Sequence, residues 1–302
     1  MTDRENCLTE GSSIPYRNYP GVTLDLAKAA YLHRLTTASG VTVGNSTNNT
    51  AAVSRLSWDS SILQMECGRA DLIAATSIEH TKDLAMLVIA EAKNQNIEHL
   101  SVRFDAEDTH LIQGFLREGF EQVDSILTFV AQNLSFEQQD GIRLAAIYDA
   151  SAVKEIARTA FVADRFHSDL LIKTELADEL HAQWGENSVI GKAADAVVVA
   201  EENDEILGFV TCKTQELVGK KIGTIVLVAT SAEARGKGLG TAMIKFALGW
   251  FSEQGCDLVD VGTQSSNVGA SKLYENVGFC KVASSVSLRK SVSAHIESVN
   301  VR

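Results

Sequence analysis

The stretch Ala234-Arg235-Gly236-Lys237-Gly238-Leu239-Gly240-Thr241 decides the fold of this chain. It lies between a strand-like run, Ile222 to Val228, and a segment whose apolar residues recur at helical spacing. Its three glycines lack the Cβ atoms that would hold a ligand away from the main chain. Backbone N–H groups at the positive end of the helix can therefore converge on an anion. The stretch predicts a pyrophosphate-binding turn that opens a helix.

Two other phosphate-binding loops do not fit this spacing. A P-loop requires Gly-x-x-x-x-Gly-Lys-Ser/Thr, whereas Lys237 lies between two glycines outside that pattern. A dinucleotide-binding turn requires Gly-x-Gly-x-x-Gly after the first strand of a βαβ unit. The glycines at 236, 238 and 240 lack that spacing as well.

A second motif follows in the same order along the chain. Apolar residues from Ala242 to Phe251 predict a helix, Leu258 to Val261 a strand, and Asn267 to Phe279 a short helix closed by a glycine. The pair of motifs resembles the GCN5-related N-acetyltransferase (GNAT) superfamily. Its cofactor motif matches Arg235, Gly238 and Gly240, and its later signature matches Asn267, Ala270, Leu273, Tyr274, Gly278 and Phe279.

The resemblance implies an α/β (α+β) GNAT fold, with a mixed, twisted sheet flanked by helices. We expect strands at 142–148, 196–200, 206–213 and 221–230 and helical regions at 151–161 and 166–184. The first domain should be a degenerate GNAT-like unit at 55–130. It is preceded by an extension of uncertain structure at 1–54, with a mobile loop at 45–50. A polar linker at 131–141 leads to the catalytic domain at 142–302.

An internal repeat underlies the first domain. Phe120 and Phe279 are 159 residues apart, and this offset aligns two helices and a strand without a gap. Thr76, Glu79 and Thr81 then fall under Arg235, Gly238 and Gly240, so the first copy should not bind a pyrophosphate. The alternative is a chance echo between two α/β domains. In either case the first half is a scaffold, a homodimer surface or a wall of the substrate site.

Composition restricts the class of partner and the compartment. The chain has 302 residues and a net charge of −12, without the basic stripe that nucleic-acid binding requires. Its five cysteines are scattered and odd in number, which suits reduced core thiols. No apolar run approaches the roughly 18 residues that a membrane span needs, and the polar start is not a signal peptide. We expect a cytoplasmic protein without membrane insertion.

The resemblance also implies the chemistry, which is acetyl transfer from acetyl-CoA to an amine. Tyr274 takes the place of the hydroxyl that faces the departing sulfur, where it stabilises the thiolate and acts as a general acid late in the step; its alternative is a core tyrosine. Lys272 contacts either a CoA phosphate or only solvent, and Asn267 contacts the pantetheine arm. The residues assigned to the cofactor are Val228, Ala229, Thr230, Arg235, Gly236, Lys237, Gly238, Leu239, Gly240, Thr241, Asn267 and Lys272.

The general base is not singled out by the sequence. His167, His181, Asp169 and Glu186 lie in the segment that should overhang the acceptor, but water is an equal alternative. The other histidines show no metal-ligand spacing, so we expect no metal.

Residues 161–167 and 182–187, together with Trp58-Asp59-Ser60, resemble the TDP-fucosamine acetyltransferase branch of the superfamily. The acceptor implied is a nucleotide-activated amino sugar, most similar to a dTDP-4-amino-4,6-dideoxyhexose, bound by Arg165, Phe166, Trp184 and Asn187. About fifty residues precede Trp58 beyond the pattern of that branch, and the residues around Arg165 differ from it. Two alternatives stay open: a GNAT enzyme for another amine (a polyamine, an antibiotic or a protein N-terminus), and a CoA-binding module without turnover.

Overall fold

A computed structural model describes residues 14, 16–37, 40–45, 49–134, 139–217 and 219–292. The chain divides into two compact units. Of the described residues, those up to 17, those from 22 to 124 and those from 284 to 292 lie in the N-terminal unit, and those at 18–21 and from 125 to 283 lie in the C-terminal unit. The unit boundaries fall inside the last strand of each half of the chain.

The first half of the chain alternates strands and helices after an initial helix. Its elements are α1 (Leu24–Thr37), β1 (Val41–Asn45), β2 (Asn49–Arg55), α2 (Ser57–Leu63), β3 (Cys67–Ala75), α3 (Ile78–Asn94), β4 (His99–Asp105), α4 (Thr109–Arg117) and β5 (Glu121–Ala131). Of the loop expected at 45–50, residues 46–48 lie outside the described part, and the residues on either side end β1 and begin β2.

The second half follows the order that the sequence predicts. Its elements are β6 (Ile142–Leu144), a 3₁₀ turn (Ile147–Asp149), α5 (Ala150–Ala160), α6 (Thr174–Val189), β7 (Ala196–Glu202), β8 (Glu205–Leu217), β9 (Lys220–Thr230), a 3₁₀ turn (Ala232–Ala234), α7 (Leu239–Glu253), β10 (Leu258–Gln264), α8 (Val268–Val277) and β11 (Cys280–Ser291).

Two local predictions were wrong. The strand expected through Tyr148 stops at Leu144, because the Asp149 side chain accepts a hydrogen bond from the Ala146 N–H at 2.7 Å and turns the chain. The helix expected from Phe166 begins only at Thr174. Between them, Asp164 accepts from the Phe166 N–H at 2.8 Å and Asp169 from the Leu171 N–H at 3.0 Å. Such side-chain bonds compete with helix formation.

The strands of the N-terminal unit lie in the order β1-β2-β3-β4-β11, with β3 parallel to β4 and the other pairs antiparallel. A core of Leu84, Val88, Leu100 and Phe115 fills the space between this sheet and α3 and α4. The remaining apolar residues of the unit include Tyr31 of α1, which packs with Ala52 and Ala74.

The strands of the C-terminal unit lie in the order β5-β10-β9-β8-β7-β6, and β10 is parallel to β9 while the other pairs are antiparallel. Met243 and Phe251 of α7 pack with Val259 of β10 on one face of the sheet. Val153 and Ala157 of α5 pack with Phe209 of β8 in a second core. The mixed sheet with flanking helices that the sequence predicts is confirmed.

The offset of 159 residues extends to the boundaries of the elements. It carries β4 onto β10 and α4 onto α8 within one residue at each end, and β5 onto β11 in the same way. The strand pairing repeats as well. Asp105 opposes Ser285 in the β4–β11 ladder, and their equivalents, Gln264 and Ile126, oppose one another in the β10–β5 ladder. The equivalence favours the interpretation of a duplicated unit.

Among the described residues, no helix is both long and apolar enough to cross a membrane. Cys67, Cys212 and Cys256 are buried free thiols, as expected, whereas Cys280 is exposed.

Candidate active site

The site begins where β9 separates from β10. The two strands pair in parallel from Leu258 opposite Ile222 to Val261 opposite Ile225, and the recorded pairing ends there although both strands continue. On its other side, β9 keeps its ladder with β8 as far as Thr230 opposite Gly208. The far end of β9 therefore has one edge that is paired and one edge that faces a gap.

A β-bulge in β9 lies at the start of this gap. Two residues of β9, Val226 and Leu227, stand opposite the single residue Thr211 of β8. The Leu227 N–H donates to Thr211 Oγ1 at 2.9 Å, and the Ser231 N–H donates to the Leu207 carbonyl at 2.8 Å. Because successive N–H groups of a strand point to opposite sides, the Val228 N–H points away from β8, toward the gap. It can donate a hydrogen bond to a ligand there.

The anion-binding turn has the backbone that its glycines predict. Gly236 and Gly238 have φ angles of 79° and 81°, in the left-handed region that side chains disfavour. A Cβ at either position would meet nothing within 4 Å, so the glycines are required by backbone conformation and not by close packing. That the missing Cβ atoms leave room for a ligand at these positions stays a prediction.

The first turn of α7 has N–H groups available for an anion. The Ala242 N–H donates to the Gly238 carbonyl at 3.1 Å, and within the described chain no side chain caps the helix start. The N–H groups of Leu239, Gly240 and Thr241 precede that bond and have no acceptor within the helix. Together with the helix dipole, they fit a bound pyrophosphate.

Two cations flank the turn on its exposed side. Arg235 and Lys237 are both exposed, and Lys237 Nζ lies 3.9 Å from Glu202 Oε2. An exposed pair at this distance contributes little to stability. Both side chains can therefore reorient toward a phosphate group.

Tyr274 of α8 is 4% exposed, and its ring packs against Phe129 and Phe279 at centroid distances of 5.8 and 5.9 Å. Among the described residues, none forms a hydrogen bond with its hydroxyl. Burial raises the pKa of this hydroxyl well above its ordinary value. The group is thus a protonated donor at neutral pH, on a ring that the core holds in place.

Asn267 and Lys272 occupy less specific positions. The Asn267 Oδ1 accepts from the Ala270 N–H at 3.0 Å and caps the start of α8. This bond uses the side-chain oxygen but leaves the amide NH₂ as a donor. Lys272 is exposed on the same helix. Their contacts with the cofactor stay predictions.

The four residues assigned to the acceptor lie in and after the loop at 161–173. The guanidinium carbon of Arg165 lies 4.3 Å from the centroid of the Phe166 ring, and Phe166 is only 7% exposed. Trp184 of α6 is half-buried against the core under α5, and the Asn187 carbonyl accepts from Lys192 and Ala193 as the helix ends. Phe166 therefore supports Arg165 and offers little open apolar surface.

The same loop forms a buried cluster with α6 that sequence reasoning missed. His167 Nδ1 lies 2.6 Å from Asp164 Oδ2, and His167 Nε2 lies 3.0 Å from Asp178 Oδ1. His181 Nε2 lies 3.5 Å from the same Asp164 oxygen. These histidines are not solvated residues of a helix face. The three-residue spacings from Asp164 to His167 and from Asp178 to His181 were the available signal.

The surroundings of the two histidines shift their pKa values in opposite directions. The hydrogen bond with Asp164 raises the pKa of His167, and burial lowers the pKa of His181. Burial alone would raise the pKa of Asp164, but the hydrogen bond with His167 and the neighbouring positive charge outweigh it, so that pKa is lowered. Of the other base candidates, Glu186 pairs with Lys154 at 2.5 Å, and Asp169 is 2% exposed.

A buried carboxyl lies beside the gap, on β10. Asp260 is opposite Thr224, one position before the last pair with β9, and is 7% exposed. The Tyr19 hydroxyl donates to its Oδ2 at 2.6 Å, and burial raises its pKa. No sequence signal pointed to this contact, since its partners are 241 residues apart.

A cavity of about 650 Å³ lies between β6, α5, the β7–β8 turn and Ser231, which directly follows β9. Its lining includes Arg143 and five carboxylates, Asp149, Glu155, Glu201, Asp204 and Glu205. Arg143 is already paired with Asp149 and Glu201. The cavity is therefore acidic and suits a cation better than a diphosphate.

The equivalent helix start in the N-terminal unit is filled by its own side chains. Ser77 Oγ accepts from the His80 N–H at 3.1 Å, and Thr81 Oγ1 donates to the Ser77 carbonyl at 2.8 Å. The cap takes up one of the N–H donors that a phosphate would need. That the first copy does not bind a pyrophosphate stays a prediction.

Comparison with known proteins supports the same interpretation. Residues 152–279 match the model of the "Acetyltransferase (GNAT) family". The chain is 27% identical over 228 residues to the spore coat polysaccharide biosynthesis protein SpsD of Bacillus subtilis, which covers 74% of this chain and 76% of SpsD. It is 24% identical over 182 residues to the dTDP-fucosamine acetyltransferase of Escherichia coli O6:H1. That alignment covers 59% of this chain and 75% of the Escherichia coli protein.

A solved GCN5-related N-acetyltransferase from Kribbella flavida superposes with a TM-score of 0.59 at 15% identity, over 89% of this chain and 95% of that one. At this identity the likeness concerns the fold alone. Residues 152–279 form an acetyltransferase domain of the GNAT superfamily, whose members generally use acetyl-CoA as the acetyl donor.

Proposed function

We propose that this enzyme acetylates the amino group of a nucleotide-activated amino sugar, with a dTDP-4-amino-4,6-dideoxyhexose as the preferred acceptor. The observation that carries the proposal is Arg165, a half-buried guanidinium held over the Phe166 ring in the segment that resembles the sugar-modifying branch. A guanidinium in a defined orientation suits bidentate pairing with a diphosphate. Exposed Val162 and Leu170 on the same loop offer apolar surface for a deoxysugar.

The names of two relatives agree with this acceptor class. SpsD is named for polysaccharide biosynthesis and the Escherichia coli enzyme for dTDP-fucosamine, and each alignment covers about three quarters of the relative. Identities of 27% and 24% support the class of acceptor and not the individual sugar.

In the proposed mechanism, the acceptor amine attacks the carbonyl carbon of the acetyl thioester directly. The Val228 N–H donates to the acyl oxygen as negative charge develops on it, a contribution that is typically worth roughly 10² to 10³ in rate. The N–H groups at the start of α7 hold the pyrophosphate. Tyr274 donates a hydrogen bond to the sulfur as the carbon–sulfur bond breaks.

Water takes the proton that the amine loses in this mechanism. Side chains of His167 and His181 are 5% and 4% exposed and already hydrogen-bonded, and Glu186 is paired with Lys154. None of them presents an open basic atom to an acceptor. This leaves solvent as the proton acceptor among the alternatives that the sequence offers.

A cationic acceptor, such as a polyamine, is the second candidate. The acidic cavity beside Glu155, Glu201 and Glu205 favours it, because its five carboxylates outnumber the single cation Arg143 and so attract a polycation and repel a nucleotide sugar. The two candidate acceptors carry opposite charges, since the nucleotide sugar is an anion and the polyamine is a cation. A direct comparison of acceptors separates them.

The test is a panel of acceptors incubated with acetyl-CoA and analysed by mass spectrometry. The panel contains dTDP-linked 4-amino-4,6-dideoxyhexoses, spermidine, an aminoglycoside and a peptide with a free N-terminus. We expect a mass gain of one acetyl group on the nucleotide sugar, and less acetylated product with a Gly238→Asp control when acetyl-CoA is below saturation. Acetylation of spermidine or peptide alone would refute the sugar proposal and leave the acetyltransferase assignment intact.

A further inference from the structure

Three side chains, two from the loop at 161–173 and one from α6, bring possible metal-ligand atoms close together. One atom each from Asp164, His167 and His181 lies within 4.8 Å of the others. The side chains are 12%, 5% and 4% exposed, so the cluster is nearly closed to solvent. Asp164 and His167 come from the loop and His181 comes from α6. The cluster therefore links the loop at 161–173 to α6 through side chains.

The outward-facing atoms of these side chains are already fixed. His181 Nδ1 donates to the Ala177 carbonyl at 2.9 Å, which leaves the lone pair of Nε2 directed at Asp164. His167 Nε2 is 3.0 Å from Asp178 Oδ1, so Nδ1 is the nitrogen that faces the cluster. Histidines that bind metals are held in this way, by a carbonyl or carboxylate on the second ring nitrogen. Asp164 Oδ1 accepts from the Phe166 N–H, which leaves Oδ2 as its ligand atom.

We propose that Asp164 Oδ2, His167 Nδ1 and His181 Nε2 form a binding site for a divalent transition-metal ion, best suited to Zn²⁺. Ligands at about 2.0–2.1 Å around a tetrahedral Zn²⁺ are roughly 3.3 Å apart, and the Asp164–His181 separation of 3.5 Å fits that value. The Asp164–His167 separation of 2.6 Å is that of a hydrogen bond. It lengthens when the metal replaces the proton on Nδ1, which leaves to solvent. Water supplies the fourth ligand.

Ligand chemistry selects the kind of ion. Two imidazole nitrogens and one carboxylate favour Zn²⁺ or a similar transition metal, whereas Mg²⁺ requires oxygen ligands in octahedral geometry. Binding requires the ligating nitrogen of each imidazole to be unprotonated. The bound ion fastens the loop that carries Arg165 to α6. This inference concerns the loop and does not depend on the identity of the acceptor.

The test measures zinc content and thermal unfolding of the full chain in a Cys280→Ser background, because the exposed Cys280 thiol is itself a zinc ligand. Protein is stripped with a chelator, dialysed against Zn²⁺ or Mg²⁺ and analysed for metal. We expect one Zn²⁺ per chain and a Tm raised by roughly 5 °C or more at zinc far above Kd. Mg²⁺ should change neither quantity.

Matched variants locate the site. His181→Gln and Asp164→Asn should lose the bound zinc and the Tm response, while His80→Gln, which alters an exposed histidine on α3, should keep both. Circular dichroism confirms that each variant is folded. If the parent chain binds no zinc and its Tm does not respond, the proposal is overturned, and this result requires no variant. Equal zinc retention by His181→Gln and the parent would overturn it as well.

Discussion

Gly240 of α7 lies against Leu273 of α8, and a Cβ at Gly240 would be 3.2 Å from Leu273 Cδ2. The equivalent pair in the N-terminal unit, 159 residues earlier, is Thr81 and Gly114. There the small residue is on the second helix, and a Cβ at Gly114 would be 2.7 Å from Thr81 Cβ. Each helix pair keeps one small and one large residue at its contact, with the roles exchanged.

Because one small residue and one larger residue meet in each helix pair, we expect the stability effects of substitutions at Gly240 and Leu273 to depend on one another. We expect Gly240→Thr to destabilise the protein by about 1–3 kcal/mol, because the added atoms overpack the contact. In Gly240→Thr/Leu273→Ala the loss should be smaller than the sum of the single losses by at least about 0.5 kcal/mol. Urea unfolding of the four proteins measures the cycle. Additive losses would show that the two helices do not meet at this point.

The turn before α7 should discriminate by charge. Asp and Asn have similar size and both tolerate a positive φ better than most residues, so Gly238→Asp and Gly238→Asn form a matched pair. We expect Gly238→Asp to weaken acetyl-CoA binding roughly tenfold or more relative to Gly238→Asn, through repulsion between carboxylate and phosphate. Isothermal titration calorimetry measures both affinities. Equal affinities of the two variants for acetyl-CoA would contradict the prediction that the pyrophosphate binds at this turn.

Tyr274→Phe separates catalysis from stability. Because the hydroxyl has no recorded partner within the described chain, its removal should leave Tm unchanged or slightly raised. The value of kcat should fall about 100-fold with little change in KM for acetyl-CoA, since the hydroxyl acts on charge that develops as the thioester breaks. Steady-state kinetics under conditions where chemistry limits the rate provide the measurement. An unaltered kcat would make Tyr274 a core residue only.

Arg165 should affect the acceptor and not the donor. Arg165→Ala removes a charge-assisted contact worth about 1.5–3 kcal/mol, so KM for a nucleotide sugar should rise tenfold or more while KM for acetyl-CoA stays constant. Arg165→Lys keeps the charge without the bidentate geometry and should be intermediate. A parallel rise in both KM values would instead indicate general disorder of the loop.

Asp149 gives the stability a specific pH dependence. Its hydrogen bonds with Arg143, at 2.7 and 3.1 Å, hold the pKa of this carboxyl below its usual range. The stabilisation is therefore complete above about pH 4, the unfolded pKa, and is lost as the pH falls through the lower folded pKa.

Asp149→Asn should lower the free energy of unfolding by about 2 kcal/mol at pH 7. The difference in unfolding free energy between the variant and the parent should become smaller as the pH falls toward 3. Urea unfolding at several pH values measures this difference. Glu155→Gln, at an exposed carboxylate, is the control and should show little effect at any pH. A gap between Asp149→Asn and the parent that does not change with pH would exclude the ion pair as its cause.

The elements around the phosphate-binding turn were predictable because their signals are local. Positive φ angles at Gly236 and Gly238, the apolar spacing of α7 and the capping of α8 by Asn267 each depend on residues within one or two turns. The repeat at 159 residues was readable for the same reason, since both copies keep the same local pattern.

The loop at 161–173 was not predictable in this way. Its residues have helical composition, but Asp164 and Asp169 accept bonds from backbone N–H groups two residues later and interrupt the helix. Whether such a side chain becomes buried depends on the residues that pack around it in the folded protein. Here Asp164 meets His181, which lies 17 positions later and on another element.

By itself, the sequence determined the order of the elements in the second half of the chain, the superfamily and the turn that we propose for the cofactor's phosphates. Only the tertiary structure decided that β5 pairs with β10, that β11 pairs with β4, and that Asp164, His167 and His181 converge. The reason is physical. A turn or helix start is specified by the φ angles and N–H groups of neighbouring residues, whereas strand pairing and buried clusters depend on contacts between residues far apart in the chain.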